Sequence, residues 1–252
     1  MGKAVKKQVK KTAPKKAASK IAKNKASPKK ASKQAATKIA KVKCPTFKLN
    51  NGRKIPVLGY GTFLHPDCKE LVKNAILKYG YRHIDTATLY GNEEEIGEAL
   101  QECMAAGVKR EDLFITTKLW HDDKNNVEGA LRLSLKKLKL SYVDLYLVHW
   151  MRPLIDFKSK EWKITSPPNH VIWSQMEGLV NKGLTKSIGV SNCTIPVLFD
   201  IIGGCKIKPV VNQIECHPYL QQKAVNEFHQ KFGVYIQSYG SVGAGHFKVR
   251  DG

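Results

Sequence analysis

The sequence predicts an α/β fold, a (β/α)8 barrel of parallel strands that lacks its last βα unit, on three observations. Short β-rich runs alternate with helical stretches of roughly ten residues or more after Pro45. Polar residues fall at or just past the C-terminal ends of several different runs. The 43 residues before this region hold too few large apolar side chains to enter any core.

Taken in order, Phe47-Lys48-Leu49 and Arg53-Lys54-Ile55 flank Asn50-Asn51-Gly52, which predicts a hairpin with a glycine-bearing turn. A first strand follows at 57–60, and further strands are expected at 83–85, 114–117, 144–148, 187–190, 210–214 and 235–238. Between them helices are expected to start near Asp67, Asn92, Asn126, His170, Ile195 and Gln221, each with apolar residues three and four apart. In the third, Leu131, Leu135 and Leu138 form one stripe while Lys136, Lys137 and Lys139 face out. Seven strands and six helices in alternation fit either a doubly wound sheet or an eightfold barrel. An open sheet concentrates its polar site at one switch point, whereas Asp85, Lys118, His149, Asn192 and Gln213 stand at the ends of five different strands. Polar groups converging from many strand ends are how barrel sites are made, so the barrel is preferred.

The net charge of +22 is concentrated at one end, because residues 1–43 carry 16 lysines, no arginine and no acid, leaving +6 for the remainder. This lysine-, alanine- and serine-rich tail is expected to be disordered and able to bind nucleic acid in a salt-dependent way that ignores sequence. Its composition resembles a linker-histone tail, and Ser27-Pro28-Lys29-Lys30 is similar to a unit repeated in such tails. A mitochondrial presequence is less favoured, since the tail lacks arginine and is broken by Pro14 and Pro28. A solvated extension without a dedicated partner is the remaining reading. The six cysteines are scattered without a CxxC pair, which points to free thiols, most of them buried, in a reducing compartment, and away from a metal site. No stretch approaches the ~20 apolar residues of a membrane span. An intracellular protein, cytoplasmic or nuclear, is expected.

Asp85, Tyr90, Lys118 and His149 form a set with a shared chemistry. A tyrosine can protonate an alkoxide forming on a carbonyl if its pKa, ordinarily ~10, is drawn toward working pH. An adjacent ammonium, here Lys118, favours the phenolate, and a carboxylate, here Asp85, keeps that ammonium in place and charged. An imidazole donating to the carbonyl oxygen suits His149. Taken singly, Tyr90 reads as a packing residue, Lys118 as a solvated cation and His149 as a structural histidine.

The string GYRHIDTATLYGNEEEIG, residues 80–97, closely resembles the first signature of the aldo-keto reductases, and MEGLVNKGLTKSIGVSN, residues 176–192, resembles the second. TTKLW at Thr116 and DLYLVHW at Asp144 are similar to that family's third and fourth strand ends. The resemblance implies a TIM barrel of aldo-keto reductase type, NADPH as cofactor, a small carbonyl substrate, and Asp85, Tyr90, Lys118 and His149 as the catalytic tetrad. It also implies that Gly61, Thr62 and Phe63 lie beside the cofactor with Asp85 close by. Ser191, Asn192 and Gln213 would bind its carboxamide, Tyr239 would stack on its nicotinamide ring, and Trp120 would line the substrate pocket beside Tyr90 and His149. The long loop from Arg152 to Pro168 is positioned to cover substrate.

The sequence departs from the family after Tyr239, which is followed by Gly240-Ser241-Val242-Gly243 rather than a Ser-Pro-Leu-like segment. Cys193 also replaces the usual aromatic after Ser191-Asn192. The family's strand eight and C-terminal loop are missing from these 252 residues. A C-terminally truncated reductase with unpaired edges on its first and seventh strands is therefore expected.

Overall fold

Residues 44–152, 155–156, 163–164 and 166–243 are described by a computed structural model. The lysine-rich tail, Trp162 and much of the loop expected after Arg152 lie outside the described residues. The chain opens with β1 (Thr46–Lys48) and β2 (Lys54–Pro56), paired antiparallel with Phe47 opposite Ile55. It then alternates through β3 (Gly59–Gly61), α1 (Cys68–Leu77), β4 (His83–Asp85), α2 (Glu93–Ala105), β5 (Phe114–Leu119), α3 (Val127–Leu138) and β6 (Leu145–Val148). Where one cover loop was expected, β7 (Ile155–Asp156) and β8 (Lys163–Ile164) pair antiparallel. The alternation resumes with α4 (Asn169–Asn181), β9 (Ile188–Ser191), α5 (Ile195–Gly204), β10 (Val211–Glu215), α6 (Lys223–Phe232) and β11 (Tyr235–Tyr239).

Seven of these strands form one parallel sheet in the order β11-β10-β9-β6-β5-β4-β3. The sheet curls back on itself, because Gln213 and Gln237 on β10 and β11 both donate to Asp85 on β4, near the opposite end of the order. Among the described residues β3 pairs only with β4 and β11 only with β10, so the barrel is nearly closed and keeps two edges.

Side-chain alternation divides the apolar residues into two cores. Outward residues such as Ile84, Ile115, Tyr146, Val148 and Ile188 join Val72, Ile96, Leu100, Leu131, Leu138 and Met176 of the helices. Inward residues Phe114, Leu145, Leu147 and Val211 instead meet Leu49 and Ile55 of the hairpin. The hairpin thus plugs the N-terminal end of the barrel. Asn50 Nδ2 secures it by donating to the carbonyls of Pro209 at 2.9 Å and Gly233 at 3.0 Å, while Asn51 Nδ2 donates to Ser187 Oγ at 2.9 Å. The opposite end of the barrel remains for chemistry. Of the cysteines, Cys68, Cys103 and Cys193 are buried and Cys44, Cys205 and Cys216 are half-buried, so half of them, and not most, are sequestered.

Candidate active site

The register of the strands carries one layer of side chains inward at the C-terminal end. Asp85 stands opposite Gly61 and Thr116, Lys118 opposite Leu147, and Gln213 opposite both Ser191 and Gln237. Leu147 faces inward, so Lys118 does too, and His149, two residues beyond Leu147, follows the same side. Five strands therefore deliver Asp85, Lys118, Ser191, Gln213 and Gln237 to one polar layer, and the end of β6 adds His149.

Lys118 is the hub of that layer. Its side chain is fully buried, and its ammonium pairs with Asp85 Oδ1, donates to the Thr86 carbonyl at 2.9 Å and donates to Tyr90 Oη at 3.3 Å. Burial alone would lower the Lys118 pKa, but the Asp85 charge, the facing Tyr90 and the hydrogen bonds to both hold it above the ordinary lysine value. The solvated lysine that its residue type suggests is therefore not what the fold contains. The other carboxylate oxygen of Asp85 accepts from Gln213 Nε2 at 2.7 Å and Gln237 Nε2 at 3.2 Å.

Tyr90 reaches the hub from a short 3-10 turn, Thr88–Tyr90, tied to β5 by Thr88 Oγ1 donating to the Lys118 carbonyl at 3.0 Å. Asn92 stabilises the same loop, accepting from Thr86 Oγ1 and donating to the Thr62 carbonyl, each at 2.8 Å. Asn92 was expected to begin a helix, and it does precede α2, but its side chain makes no cap bond because it is spent on this clamp. The Tyr90 ring sits edge-on to His149 with centroids 5.8 Å apart, and Phe63 lies 4.9 Å away on another side. Burial raises the Tyr90 pKa by more than Lys118 lowers it. The expected drop toward neutrality is not found, and the hydroxyl keeps its proton at neutral pH. His149 is buried, and its pKa falls to about 3 through burial and then the positive charge of Lys118. Its ring is neutral, and its Nδ1 has no partner among the described residues. Trp120 meets His149 edge-on at 5.2 Å. Trp173 is a packing residue whose Nε1 donates to the Ile207 carbonyl at 3.0 Å.

The residues expected around a nicotinamide cofactor border the same layer. Thr62 is buried, with its Oγ1 donating to the Asp85 carbonyl at 3.1 Å, while Gly61 has open space where a Cβ would stand and Phe63 is exposed. Asn192 takes a left-handed conformation with φ 52°, which asparagine tolerates, and its Nδ2 donates to the His149 carbonyl at 3.1 Å. Tyr239 Oη donates to Asn192 Oδ1 at 2.8 Å, and Ser191 Oγ donates to the Gln213 carbonyl at 2.8 Å. These groups fit a flat amide-bearing ring. Thr62, Ser191, Asn192 and Tyr239 are polar, and the Gln237 Oε1 of the same layer is buried without a partner among the described residues. Gln237 itself went unnoticed in the sequence, although it occupies on β11 the inward position that Gln213 occupies on β10.

The sequence model of the aldo/keto reductase family matches residues 57–251. Aldose reductase of Encephalitozoon cuniculi is 43% identical over 222 residues, covering 82% of this chain and 73% of that protein. Aldo-keto reductase family 1 member A1 of Gallus gallus is 42% identical over 217 residues, covering 80% of this chain and 65% of that one. Among solved structures, a Bombyx mori aldo-keto reductase in complex with NADP superposes with a TM-score of 0.72 at 36% identity, covering 79% of this chain and 66% of that chain. The chain thus spans about two-thirds of the length of the last two proteins. With its buried lysine hub at the open end of a parallel barrel, and with these matches along most of its length, the chain belongs to the aldo/keto reductase family.

Proposed function

We propose that this chain reduces an aldehyde or ketone to the alcohol with NADPH, and that Tyr90 is the proton donor. The observation that carries this reading is the buried Lys118 ammonium held between Asp85 and Tyr90 beside a neutral His149. Burying an ammonium costs several kcal/mol unless it is well paired. One carboxylate would serve a structural lysine. A further bond to a phenol hydroxyl is what proton donation needs.

When bound, NADPH supplies a hydride to the carbonyl carbon. Negative charge then develops on the carbonyl oxygen, and Tyr90 Oη gives it a proton. Lys118 stabilises the phenolate left behind, and Asp85, steadied by Gln213 and Gln237, keeps Lys118 charged and aimed. His149 is neutral, so it can donate an N–H to the substrate oxygen without placing a second full charge beside Lys118. Gly61, Thr62, Phe63, Ser191, Asn192, Gln213 and Tyr239 would hold the cofactor, and Trp120 would line the substrate pocket. A relative from Candida tropicalis, named an NAD(P)H-dependent D-xylose reductase, supports a nicotinamide-dependent reaction on a carbonyl.

Tyr90→Phe is expected to lower kcat by about 100-fold or more while the fold and cofactor binding persist. Turnover of a reactive aldehyde, with binding followed by quenching of tryptophan fluorescence, checks it. Unchanged turnover in the variant would remove Tyr90 from the role of acid.

Residues 44–252 would make up the reductase domain, with residues 1–43 as a separate tail. A second function, association with nucleic acid, is supported by the 16 lysines of that tail. The two functions are compatible in one chain, and the scattered cysteines support an intracellular setting for both.

A further inference from the structure

Beyond His149 the rim of the barrel carries a second concentration of positive charge that the chemistry above does not use. His121 opens a 3-10 turn, His121–Asp123, directly after β5 and Trp120. Its ring packs 4.5 Å from that of Trp120, whose other neighbour is His149 at 5.2 Å. His121 is 5% exposed, yet neither ring nitrogen has a partner among the described residues. Two unsatisfied buried nitrogens cost free energy that a phenylalanine in the same place would not.

Lys124 ends the same turn and is 1% exposed. Its ammonium donates to the Arg152 carbonyl at 2.6 Å and forms no ion pair among the described residues. Arg152 likewise forms none among the described residues, and its guanidinium lies 5.3 Å above the Trp150 ring. Asp122 and Asp123 belong to the turn, but Asp122 is exposed and neither makes a salt bridge to Lys124. Burial and then the Arg152 charge push the Lys124 pKa down to about 8, while burial and then Lys124 and Arg152 push that of His121 to about 4. Lysine is almost never buried without a counter-charge. An anion arriving from outside would supply one.

We propose that His121, Lys124 and Arg152 bind the carboxylate of a substrate whose carbonyl sits at Tyr90 and His149, with Trp120 lying along the segment between. The substrates are then oxo acids, with an aldehyde or ketone at one end and a carboxylate at the other. This substrate class rests on the carbonyl reduction proposed above.

The test uses the full chain and two ligands that differ in charge and by one methyl group, 4-(hydroxymethyl)benzoate and its methyl ester, with binding followed by tryptophan fluorescence. The acid is expected to bind about tenfold or more tightly than the ester, the scale of one charge-assisted hydrogen bond. Lys124→Met should abolish that difference and Lys124→Arg should keep most of it. The exposed Arg152→Met, which does not disturb the interior, should reduce it. Equal binding of acid and ester, or a difference untouched in both Lys124→Met and Arg152→Met, overturns the anion site. Turnover of 4-carboxybenzaldehyde and its methyl ester is measured in parallel. A chain that binds the acid selectively but reduces neither aldehyde would keep the anion site and overturn the reductase reading, so the two failures are distinguishable.

Discussion

At the scale of the residue, Lys118→Met keeps the length of the side chain but leaves Asp85 buried with only two glutamine amides as partners. Breaking a buried pair from one side costs about 3–5 kcal/mol, and urea denaturation should read a loss of that size. The Lys118 pKa is raised on folding, so its contribution is complete below the ordinary lysine value and is lost as pH rises through the folded one. His83 behaves in the opposite sense. It is buried inside the barrel, with its Nε2 2.9 Å from Thr116 Oγ1, and burial pushes its pKa down to about 4. Between the ordinary histidine value and that figure, the unfolded chain takes up a proton that the folded chain refuses, so stability falls as pH falls. The loss from this one group is about 3 kcal/mol, and a shrinking urea midpoint from pH 7 to pH 4, less steep in His83→Gln, would reveal it. The sequence disclosed the residue types of the site but not their burial. Lys118 alone looks solvated, and the balance between burial and charge at Tyr90 depends on Lys118, 28 positions further along the chain. Gln237 could be recognised only once β10 and β11 were set in register.

At the scale of the element, α2 and α3 approach so closely at Gly97 that an added Cβ would overlap the Lys137 carbonyl. Gly97→Ala is expected to destabilise by about 1–3 kcal/mol through overpacking. Gly178 within α4 meets open space, so Gly178→Ala should stabilise by about 0.5–1 kcal/mol. Thermal melts of the two variants should therefore move in opposite directions. The βα alternation was legible because each strand run is short and apolar and each helix repeats its apolar residues at helical spacing. Leu131, Leu135 and Leu138 are buried as the stripe required, and α3 begins where Asn126 Oδ1 accepts from the Gly129 amide at 3.0 Å. The segment after Arg152 was not legible. It holds two-residue strands, β7 and β8, too short for any periodicity to register.

At the scale of the whole molecule, the polar layer at one end and the plugged hairpin at the other follow from a single strand alternation. The barrel was legible for the same reason, since five strand ends carry polar residues and seven parallel strands stand among the described residues. The tail should act independently of that layer. Deleting residues 1–43 is expected to abolish salt-sensitive DNA binding, whose log K should fall by about 0.9 per phosphate contact for each decade of salt in the intact chain. Binding that survives the deletion would shift it to the barrel. The clasp made by Asn50 and Asn51 has a further consequence, during synthesis. The hairpin leaves the ribosome well before its partners Ser187, Pro209 and Gly233, which lie 136 to 183 residues later. Until they emerge, Leu49 and Ile55 have no cavity to enter. The segment made early must therefore wait, exposed, to dock late, and a translational pause after residue 233 would govern how often the newborn chain shuts its own base before meeting another.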